Sequence, residues 1–184
     1  MQNPYKKTMS TLNYKENLNH VKAFIFDVDG VLTNGNVMIT TNGEMYREMN
    51  TKDGYAMKCA LGQGFRIAII SGGTNEGVRS RLKALGVDSV YLGAHHKIEP
   101  YEDFIFSYDL KPEEVVYMGD DAPDIEVMLK VGVASCPKDA VTDVKEIADY
   151  ISHKKGGAGC VRDIIEQVLR VQGKWSTSVG AKND

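Results

Sequence analysis

The sequence has few cysteines, no long apolar run and no concentration of charge of one sign. Cys59, Cys136 and Cys160 lack the CxxC spacing of zinc or redox sites, and their odd number argues against a closed disulfide framework. No stretch approaches the roughly 18 apolar residues of a membrane span, and the polar N-terminus is unlike a signal peptide. The formal net charge of −3, without a basic block, gives no electrostatic case for nucleic acid. We therefore expect free thiols and a soluble cytoplasmic protein that binds neither membrane nor nucleic acid.

What the sequence does contain is a regular alternation of short apolar runs and helical patterns. The apolar runs are too short for helices and rich in Val, Ile, Phe or Tyr, which is typical of strands buried on both faces. Strands are expected at residues 21–26, 66–70, 87–92, 115–118, 131–135 and 149–152. Helices are expected at residues 53–62, 74–85, 99–108, 122–129, 141–147 and 161–172. This alternation predicts an α/β fold with a doubly wound parallel sheet, whose ligands bind at the carboxyl ends of the strands.

One segment breaks the alternation. Residues 37–49 centre on Asn42-Gly43, the strongest short hairpin signal, and come soon after the first strand. We expect a projecting β-hairpin at about residues 36–50, either as an edge decoration or as a flap over a site. The remaining organisation is a polar extension at residues 1–20, a single domain at 21–175 and a flexible tail at 176–184.

Two carboxylates lie where the first predicted strand gives way to a loop, in the segment FDVDGVLTNG. Asp27 and Asp29 flank a single residue, and Gly30 permits a sharp turn. Carboxylates held this close repel each other unless a cation or a shared proton intervenes. Mg²⁺ suits one or two carboxylates together with a phosphate group. The alternative is a solvated acidic turn.

A second acidic cluster follows the fourth predicted strand, in the segment GDDAPD. Asp120, Asp121 and Asp124 come after Gly119, which allows a sharp exit from the strand. Either acidic motif alone is a weak signal. Because both end a strand of the same parallel sheet, the fold is expected to bring them together.

A hydroxyl group and a lysine follow the two intervening strands. Ser71, Gly72 and Gly73 end the second strand and lead into a helix, where a hydroxyl and free backbone N–H groups can cradle a phosphate. The alternative is a helix-capping turn without a ligand. Lys97 lies at the start of the next helix, where a cation is usually unfavourable unless an anion is near. Taken alone, it would be interpreted as a surface lysine.

In this order, DVDGVLT, the serine, the lysine and GDDAPD resemble the haloacid dehalogenase superfamily of phosphatases, over roughly residues 21–174. The resemblance implies a Rossmann-like fold and a phosphoryl group transferred through an aspartate. The intervals between Asp27, Ser71 and Asp120 are filled by the expected strands, helices and hairpin, so no cap domain fits. A neighbouring subunit is therefore expected to close the site, with the hairpin at the subunit interface.

The resemblance also implies a role for each motif residue. Asp27 would be the nucleophile, Asp29 the general acid and base, Ser71 a hydrogen-bond donor to the phosphoryl oxygens, and Lys97 the neutralising cation. Metal ligands to Mg²⁺ would be Asp27, the Asp29 carbonyl oxygen and Asp120, with Asp121 and Asp124 orienting water and Lys97.

Further stretches narrow the resemblance to the capless 3-deoxy-D-manno-octulosonate 8-phosphate phosphatases, which are tetramers in lipopolysaccharide sugar synthesis. They include NTKDGYAMKCA, EVMLKVG, KKGGAGCVRDIIEQVL and QGKW. The resemblance implies a phosphorylated sugar acid as substrate and a homotetramer. The glycines at 156, 157 and 159 would let the tail approach a neighbour's site, or would form a turn before the last helix. The implied substrate contacts are Asp29, Asn50, Thr51, Lys52, Asp53, Gly54, Lys58, Ser71, Gly72, Arg81 and Lys97.

One position departs from the family pattern. The octulosonate group usually has arginine where this chain has Gly73, and the related nonulosonate 9-phosphate phosphatases have glutamate there. Arg79, one turn further along, is a candidate replacement for the cation. The alternatives are therefore a nonulosonate 9-phosphate phosphatase, an inactive phosphate-binding regulator and a phosphomutase. The complete set of motif residues argues against the regulator.

Overall fold

The computed structural model describes residues 13–175. A short helix, α1 (Tyr14–Asn17), is capped by the Asn13 side chain and leads into a single 3₁₀ turn. Leu18 in that turn is 1% exposed and belongs to the main apolar core. Leu18 is thus part of the core, although it lies within the polar extension predicted at residues 1–20. Residues 1–12 of that extension and the predicted tail at 176–184 lie outside the described residues.

The chain then follows the predicted alternation, with element ends shifted by a few residues. The elements are β1 (Ala23–Phe26), β2 (Met38–Ile39), β3 (Met45–Tyr46), α2 (Thr51–Gly62), β4 (Arg66–Ser71), α3 (Glu76–Ala84), β5 (Ser89–Leu92), α4 (Ile98–Ser107), β6 (Val115–Met118), α5 (Ile125–Met128), β7 (Val133–Cys136), α6 (Thr142–Ile147), β8 (Tyr150–Ile151) and α7 (Cys160–Val171). Six strands form one sheet in the order β5-β4-β1-β6-β7-β8, and each neighbouring pair is parallel. The predicted doubly wound parallel sheet is confirmed.

Strand β1 lies between β4 and β6 and is buried on both faces. Phe24 and Phe26 point to the core beneath α2, α3 and α7, whereas Ala23 and Ile25 point to the core beneath α4, α5 and α6. Alternate side chains of a strand leave on opposite faces, so a wholly apolar strand packs on both sides. Each large buried side chain contributes about 1.5–3 kcal/mol of hydrophobic stabilisation, which holds the end of β1 firmly in place.

Strands β2 and β3 form the predicted hairpin, with Met38 opposite Tyr46. Its turn is closed by the Thr40 N–H, which donates to the Glu44 carbonyl at 2.9 Å. Gly43 takes the left-handed conformation, with φ of +84°, that such a turn favours. Within residues 13–175, the hairpin and α2 account for the chain between β1 and β4, so the prediction of no cap domain holds.

The strand order reverses its direction at β1. The chain proceeds from β1 to β4 and β5 on one side, then returns to β6, β7 and β8 on the other. Ligands of open parallel sheets bind at such a reversal, outside the carboxyl ends of the strands. Separately, no helix formed by the described residues combines the length and apolar character that a membrane span requires.

Candidate active site

The carboxyl ends of β1, β4 and β6 bring the predicted motifs to one edge of the sheet. Asp27 directly follows β1, Ser71 is the last residue of β4, and Asp120 lies just after β6. Because β1 pairs in parallel with both neighbours, these three ends meet. A cavity of about 270 Å³ opens here. Its lining residues are Asp27, Asp29, Ser71, Gly72, Gly73, Ala94, His95, Lys97 and Pro123.

Asp27 is held from both sides at the floor of this cavity. Its Oδ1 accepts a hydrogen bond from the Val28 N–H at 2.6 Å, and its Oδ2 lies 2.9 Å from Lys97 Nζ. The residue is 7% exposed. Burial, followed by the charge of Asp124, raises the pKa of Asp27 to about 7, and Lys97 opposes that rise. A carboxylate in such a place needs nearby positive charge to remain ionised.

Asp124 supplies the framework that positions Lys97. It is fully buried, and its Oδ1 accepts hydrogen bonds from Lys97 Nζ at 2.7 Å and from the Tyr117 hydroxyl at 2.6 Å. Its Oδ2 accepts from the backbone N–H groups of Asp120 at 3.0 Å and Asp121 at 3.3 Å. Burial alone would lower the pKa of Lys97, but Asp124 and Asp27 together raise it. The lysine therefore stays charged between two carboxylates.

Asp120 completes a group of acidic side chains that fits a divalent cation. Carboxylate oxygens of Asp27, Asp120 and Asp124 lie within 4.8 Å of one another. The Asp120 Oδ1 atom is buried and makes no hydrogen bond within the described residues. Burial, followed by the charges of Asp27 and Asp124, raises the pKa of Asp120 to about 7. Because the oxygens of Asp124 already accept four hydrogen bonds, Asp27 and Asp120 are the carboxylates better placed to hold an ion.

The loop after β1, residues 27–35, is shaped by glycine and threonine; we refer to it as the β1 loop. Gly30 has φ of +93°, and a Cβ placed on it would lie 2.0 Å from Asp120 Oδ2. Only glycine allows this conformation and this close approach together. The buried Thr33 hydroxyl accepts from the N–H groups of Gly30 at 3.3 Å and Gly35 at 3.2 Å. The β1 loop is therefore built to bring Asp120 against the end of β1.

Ser71 lines the cavity at the end of β4. It is 2% exposed, and its Oγ accepts from the Gly73 N–H at 3.1 Å. Helix α3 begins later than predicted, at Glu76, and is capped by Asn75, whose side chain accepts from Gly77 and Val78. The Ser71 hydroxyl is thus not the helix cap and lies at the cavity wall, and its contact with a phosphate stays a prediction.

Asp29 is paired with an arginine that the sequence did not single out. Arg47 follows β3 of the hairpin, and its Nε and Nη2 atoms lie 2.7 Å and 3.1 Å from Asp29 Oδ1 and Oδ2. The Arg47 side chain is 9% exposed. The base of the hairpin therefore contacts the site, which favours the predicted flap over the predicted edge decoration. No local motif marks Arg47, whereas the buried Tyr117 was detectable as a hydroxyl in an apolar strand that needs a partner.

The predicted sugar contacts on α2 and α3 do not line the cavity of the same chain. Asn50 caps α2 and donates to the Gly157 carbonyl at 3.2 Å, while Thr51 and Lys52 are exposed. Lys58 is partly buried on α2. Arg81 Nη2 would lie 3.3 Å from a Cβ on Gly54, so these two residues adjoin each other. Their contact with a substrate stays a prediction.

Asp53 contacts helix α7, whereas the family resemblance implied that it contacts the substrate. It is 1% exposed, and its Oδ1 accepts from the Arg162 N–H at 2.7 Å, at the first turn of α7. Burial raises the pKa of Asp53 to about 6, although backbone N–H groups of α7 oppose the shift. The carboxylate therefore joins α2 to the positive end of α7.

The C-terminal glycines form a turn before α7, which is one of the two predicted alternatives, whereas Arg79 contacts a different partner from the one expected. A Cβ on Gly156 would lie 1.9 Å from the Gly30 carbonyl oxygen, and the Gly157 N–H donates to the Val31 carbonyl at 2.9 Å. These glycines thus let the segment approach the β1 loop of their own chain. Arg79 Nη1 donates to the Val90 carbonyl at 2.6 Å, so it is fixed on β5 and does not replace a cation at Gly73.

Comparisons with known proteins agree with this geometry. A family profile described as haloacid dehalogenase-like hydrolase matches residues 55–137. The 3-deoxy-D-manno-octulosonate 8-phosphate phosphatase KdsC of Salmonella typhi is 37% identical over 161 residues, which cover 88% of this chain and 86% of the relative. The corresponding enzyme of Escherichia coli K12 is 36% identical over the same coverage.

Solved structures give the same result. The crystal structure of the octulosonate 8-phosphate phosphatase from Yersinia pestis superposes with a TM-score of 0.86 at 31% identity, covering 88% of each chain. The enzyme from Moraxella catarrhalis, solved with magnesium, phosphate and KDO, gives a TM-score of 0.85 at 26% identity, covering 89% of this chain and 94% of that one. The fold, the clustered motifs and these relatives together show that the chain belongs to the 3-deoxy-D-manno-octulosonate 8-phosphate phosphatase family of haloacid dehalogenase-like hydrolases.

Proposed function

We propose that this phosphatase hydrolyses 3-deoxy-D-manno-octulosonate 8-phosphate to the free sugar acid and phosphate, with Mg²⁺ and through a phosphoryl group carried on Asp27. The observation that carries the proposal is the buried Asp27, placed between Lys97 and Asp120 at the floor of the cavity. The relatives that act on this sugar acid by name match over 88% of the chain. The phosphomutase alternative has no such support.

Asp27 would attack phosphorus with a carboxylate oxygen, and both of its oxygens are held in place, Oδ1 by the Val28 N–H and Oδ2 by Lys97. An anionic carboxylate attacks an anionic phosphate only where positive charge offsets their repulsion. Lys97 supplies part of that charge at 2.9 Å from Oδ2, and Asp124 keeps it in position. The Ser71 hydroxyl, which also lines the cavity, would donate a hydrogen bond to a phosphoryl oxygen.

Asp29 would act as the general acid and base. It first donates a proton to the leaving alkoxide of the sugar, and then takes a proton from the water that attacks the phosphoryl group on Asp27. Its carboxylate lines the cavity and is oriented by the guanidinium of Arg47. The Thr33 hydroxyl also donates to Asp29 Oδ1, at 3.5 Å, and together these contacts fix the carboxylate at the cavity.

The acidic residues around Asp27 account for the expected metal. Asp27, Asp120 and the Asp29 carbonyl oxygen would hold Mg²⁺, and Asp121, which caps the turn after Asp120, would orient water on the ion. When bound, Mg²⁺ supplies charge neutralisation and orientation for the phosphate. The unpartnered Oδ1 of Asp120 supports this assignment.

The test is a panel of phosphate esters assayed with Mg²⁺ and with EDTA. We expect phosphate release from octulosonate 8-phosphate and from phenyl phosphate with Mg²⁺, and none with EDTA. Parallel kcat/KM values should favour the 8-phosphate over a nonulosonate 9-phosphate by about 10-fold or more, the range that small groups of a substrate supply. The opposite preference would support the nonulosonate alternative. An Mg²⁺-loaded protein that releases no phosphate from any ester would support the inactive regulator.

We infer that the reaction belongs to the synthesis of lipopolysaccharide precursors in the cytoplasm. The product, a free octulosonate, is the sugar acid that the relatives are named for. Cys59, Cys136 and Cys160 are buried free thiols, as predicted, and this supports a reducing compartment.

We also infer a homotetramer in which a neighbour closes each site against the hairpin. Met38 and Ile39 on the hairpin are 67% and 71% exposed, a costly arrangement for a short apolar strand unless another chain covers it. Neighbouring chains would also bring residues to the sugar that lie outside the cavity of a single chain.

The variant Ile39→Lys should lower the oligomer mass measured by light scattering, because a charge replaces an apolar contact at the interface. Phe106→Lys is the matched control, since Phe106 is 87% exposed on α4, outside the hairpin. A hairpin variant that keeps the tetramer mass would place the interface elsewhere.

A further inference from the structure

We propose that Arg47 is a substrate-binding residue, whose guanidinium contacts a phosphate oxygen of the bound substrate from the Asp29 side of the cavity. The inference rests on the proposed phosphatase function and deepens it. It adds Arg47, a residue of the hairpin that belongs to none of the four motifs, as a second cation beside Lys97.

The guanidinium of Arg47 has unused hydrogen-bonding capacity in a buried position. Among residues 13–175, Arg47 donates from Nε and Nη2, both to Asp29, although a guanidinium carries five N–H groups. Nη1 is buried and has no hydrogen-bond partner in that part of the chain, and the side chain is 9% exposed. Buried N–H groups nearly always have an acceptor, because leaving one without a partner is unfavourable. An oxygen of a bound anion would supply that acceptor.

The Arg47 guanidinium lies beside Gly73, which lines the cavity. A Cβ on Gly73 would lie 3.4 Å from Ser71 Oγ, 3.5 Å from Asp29 Oδ2 and 3.7 Å from Arg47 Nη2. Asp29, Ser71 and Gly73 line the cavity, and the Arg47 guanidinium packs directly behind them. The hairpin therefore places a cation next to residues 71–73, which are expected to bind the phosphate.

Lys97 and a bound Mg²⁺ would offset only part of the negative charge around the cavity once a phosphate enters, and a second protein cation would offset more of it. A phosphate entering the site meets the carboxylates of Asp27, Asp29, Asp120 and Asp124, and Lys97 already contacts two of them. Arg47 contacts Asp29 and still has donors in the planar, forked arrangement that matches phosphate oxygens. It can therefore bind the substrate and Asp29 at the same time.

The hairpin is fixed in the orientation that this contact needs. The Asn75 side chain, which caps α3, also donates from Nδ2 to the Met45 carbonyl of β3 at 3.0 Å. This hydrogen bond joins strand β3 to the segment that follows Ser71, Gly72 and Gly73. It holds the backbone at Met45, two residues before Arg47. Arg47 is thus held in place before substrate arrives, and a preorganised cation binds without an ordering cost.

The experiment compares wild type, Arg47→Ala and Arg47→Lys as full-length, Mg²⁺-loaded proteins. Steady-state kinetics are measured on phenyl phosphate and on octulosonate 8-phosphate, with inorganic phosphate as inhibitor. For Arg47→Ala we expect KM on both esters and the inhibition constant of phosphate to rise about 10- to 100-fold, the effect of losing a charged hydrogen bond. Arg47→Lys should recover part of that loss, since it keeps the charge but not the fork. The control Arg170→Ala, an exposed arginine paired with Glu166, should change neither constant.

Melting temperatures separate this inference from the proposed function. Inorganic phosphate should raise the melting temperature of Mg²⁺-loaded wild type and raise that of Arg47→Ala much less, whether or not either protein turns over. Equal phosphate stabilisation and unchanged KM in Arg47→Ala would overturn the inference. A loss confined to the sugar acid, with phenyl phosphate unaffected, would also overturn the phosphate contact. If Arg47→Ala does not fold, the same comparison with Arg47→Lys decides.

Discussion

Replacing Asp27 with asparagine should reduce the hydrolysis of every phosphate ester by about 10⁴-fold or more, as expected when the nucleophile of a covalent mechanism is removed. The fold should survive. Burial and Asp124 disfavour the ionised form of Asp27, as its pKa of about 7 indicates, so a neutral amide relieves repulsion with its acidic neighbours. We therefore expect the Asp27→Asn protein in EDTA to melt no lower than wild type, and phosphate release to be lost.

The matched control is Asp88→Asn, which removes an exposed carboxylate in the connection before β5 and should leave turnover unchanged. Mass spectrometry must show that the asparagine at position 27 has not deamidated. Ordinary turnover by an intact Asp27→Asn protein would refute the nucleophile assignment, whatever the metal dependence of that turnover.

Replacing Lys97 with methionine should reduce both stability and activity. The ammonium lies between Asp27 and Asp124, at 2.9 Å and 2.7 Å, and is 6% exposed. Removing one partner of a buried ion pair leaves uncompensated charge and costs about 3–5 kcal/mol. Loss of the cation at the phosphate should also lower kcat by about 10²–10³-fold. Urea unfolding and single-ester kinetics measure the two effects.

Two further variants test whether the loss of stability comes from breaking the buried ion pairs of Lys97. Adding Asp124→Asn to Lys97→Met should restore part of the lost stability, because the second change removes a carboxylate left buried without its cation. Lys130→Met breaks an exposed pair with Glu102 and should change stability by less than about 0.5 kcal/mol. If Lys97→Met lowers the free energy of unfolding no more than Lys130→Met does, the buried ion pairs do not stabilise the site.

The sequence predicted those features that depend on local pattern. The strands that carry Asp27, Ser71 and Asp120 were recognisable as short apolar runs, and the parallel arrangement then required their carboxyl ends to share an edge. The Asn42-Gly43 hairpin was recognisable from its turn chemistry alone. In each case the residues responsible are close in sequence, so a single segment contains the signal.

The features that were missed depend on contacts between distant segments. Arg47 meets Asp29 only because the hairpin folds back along the β1 loop, and no spacing rule relates the two residues. Asp53 lies within a motif of the family, yet it contacts the first turn of α7, more than half the chain away. Leu18 belongs to a polar segment in which nothing local shows that its side chain is buried. Such pairings are fixed by packing, which local periodicity does not report.

The contact between Gly156 and the Gly30 carbonyl affects when the protein becomes competent during its synthesis. The β1 loop is translated early, but the backbone that packs against it belongs to the last segment before α7. While the ribosomal exit tunnel still holds that segment, the nascent chain lacks the support that shapes the loop beside Asp27. We therefore expect the loop beside Asp27 to reach its full shape only once the segment before α7 has left the tunnel and packed against it.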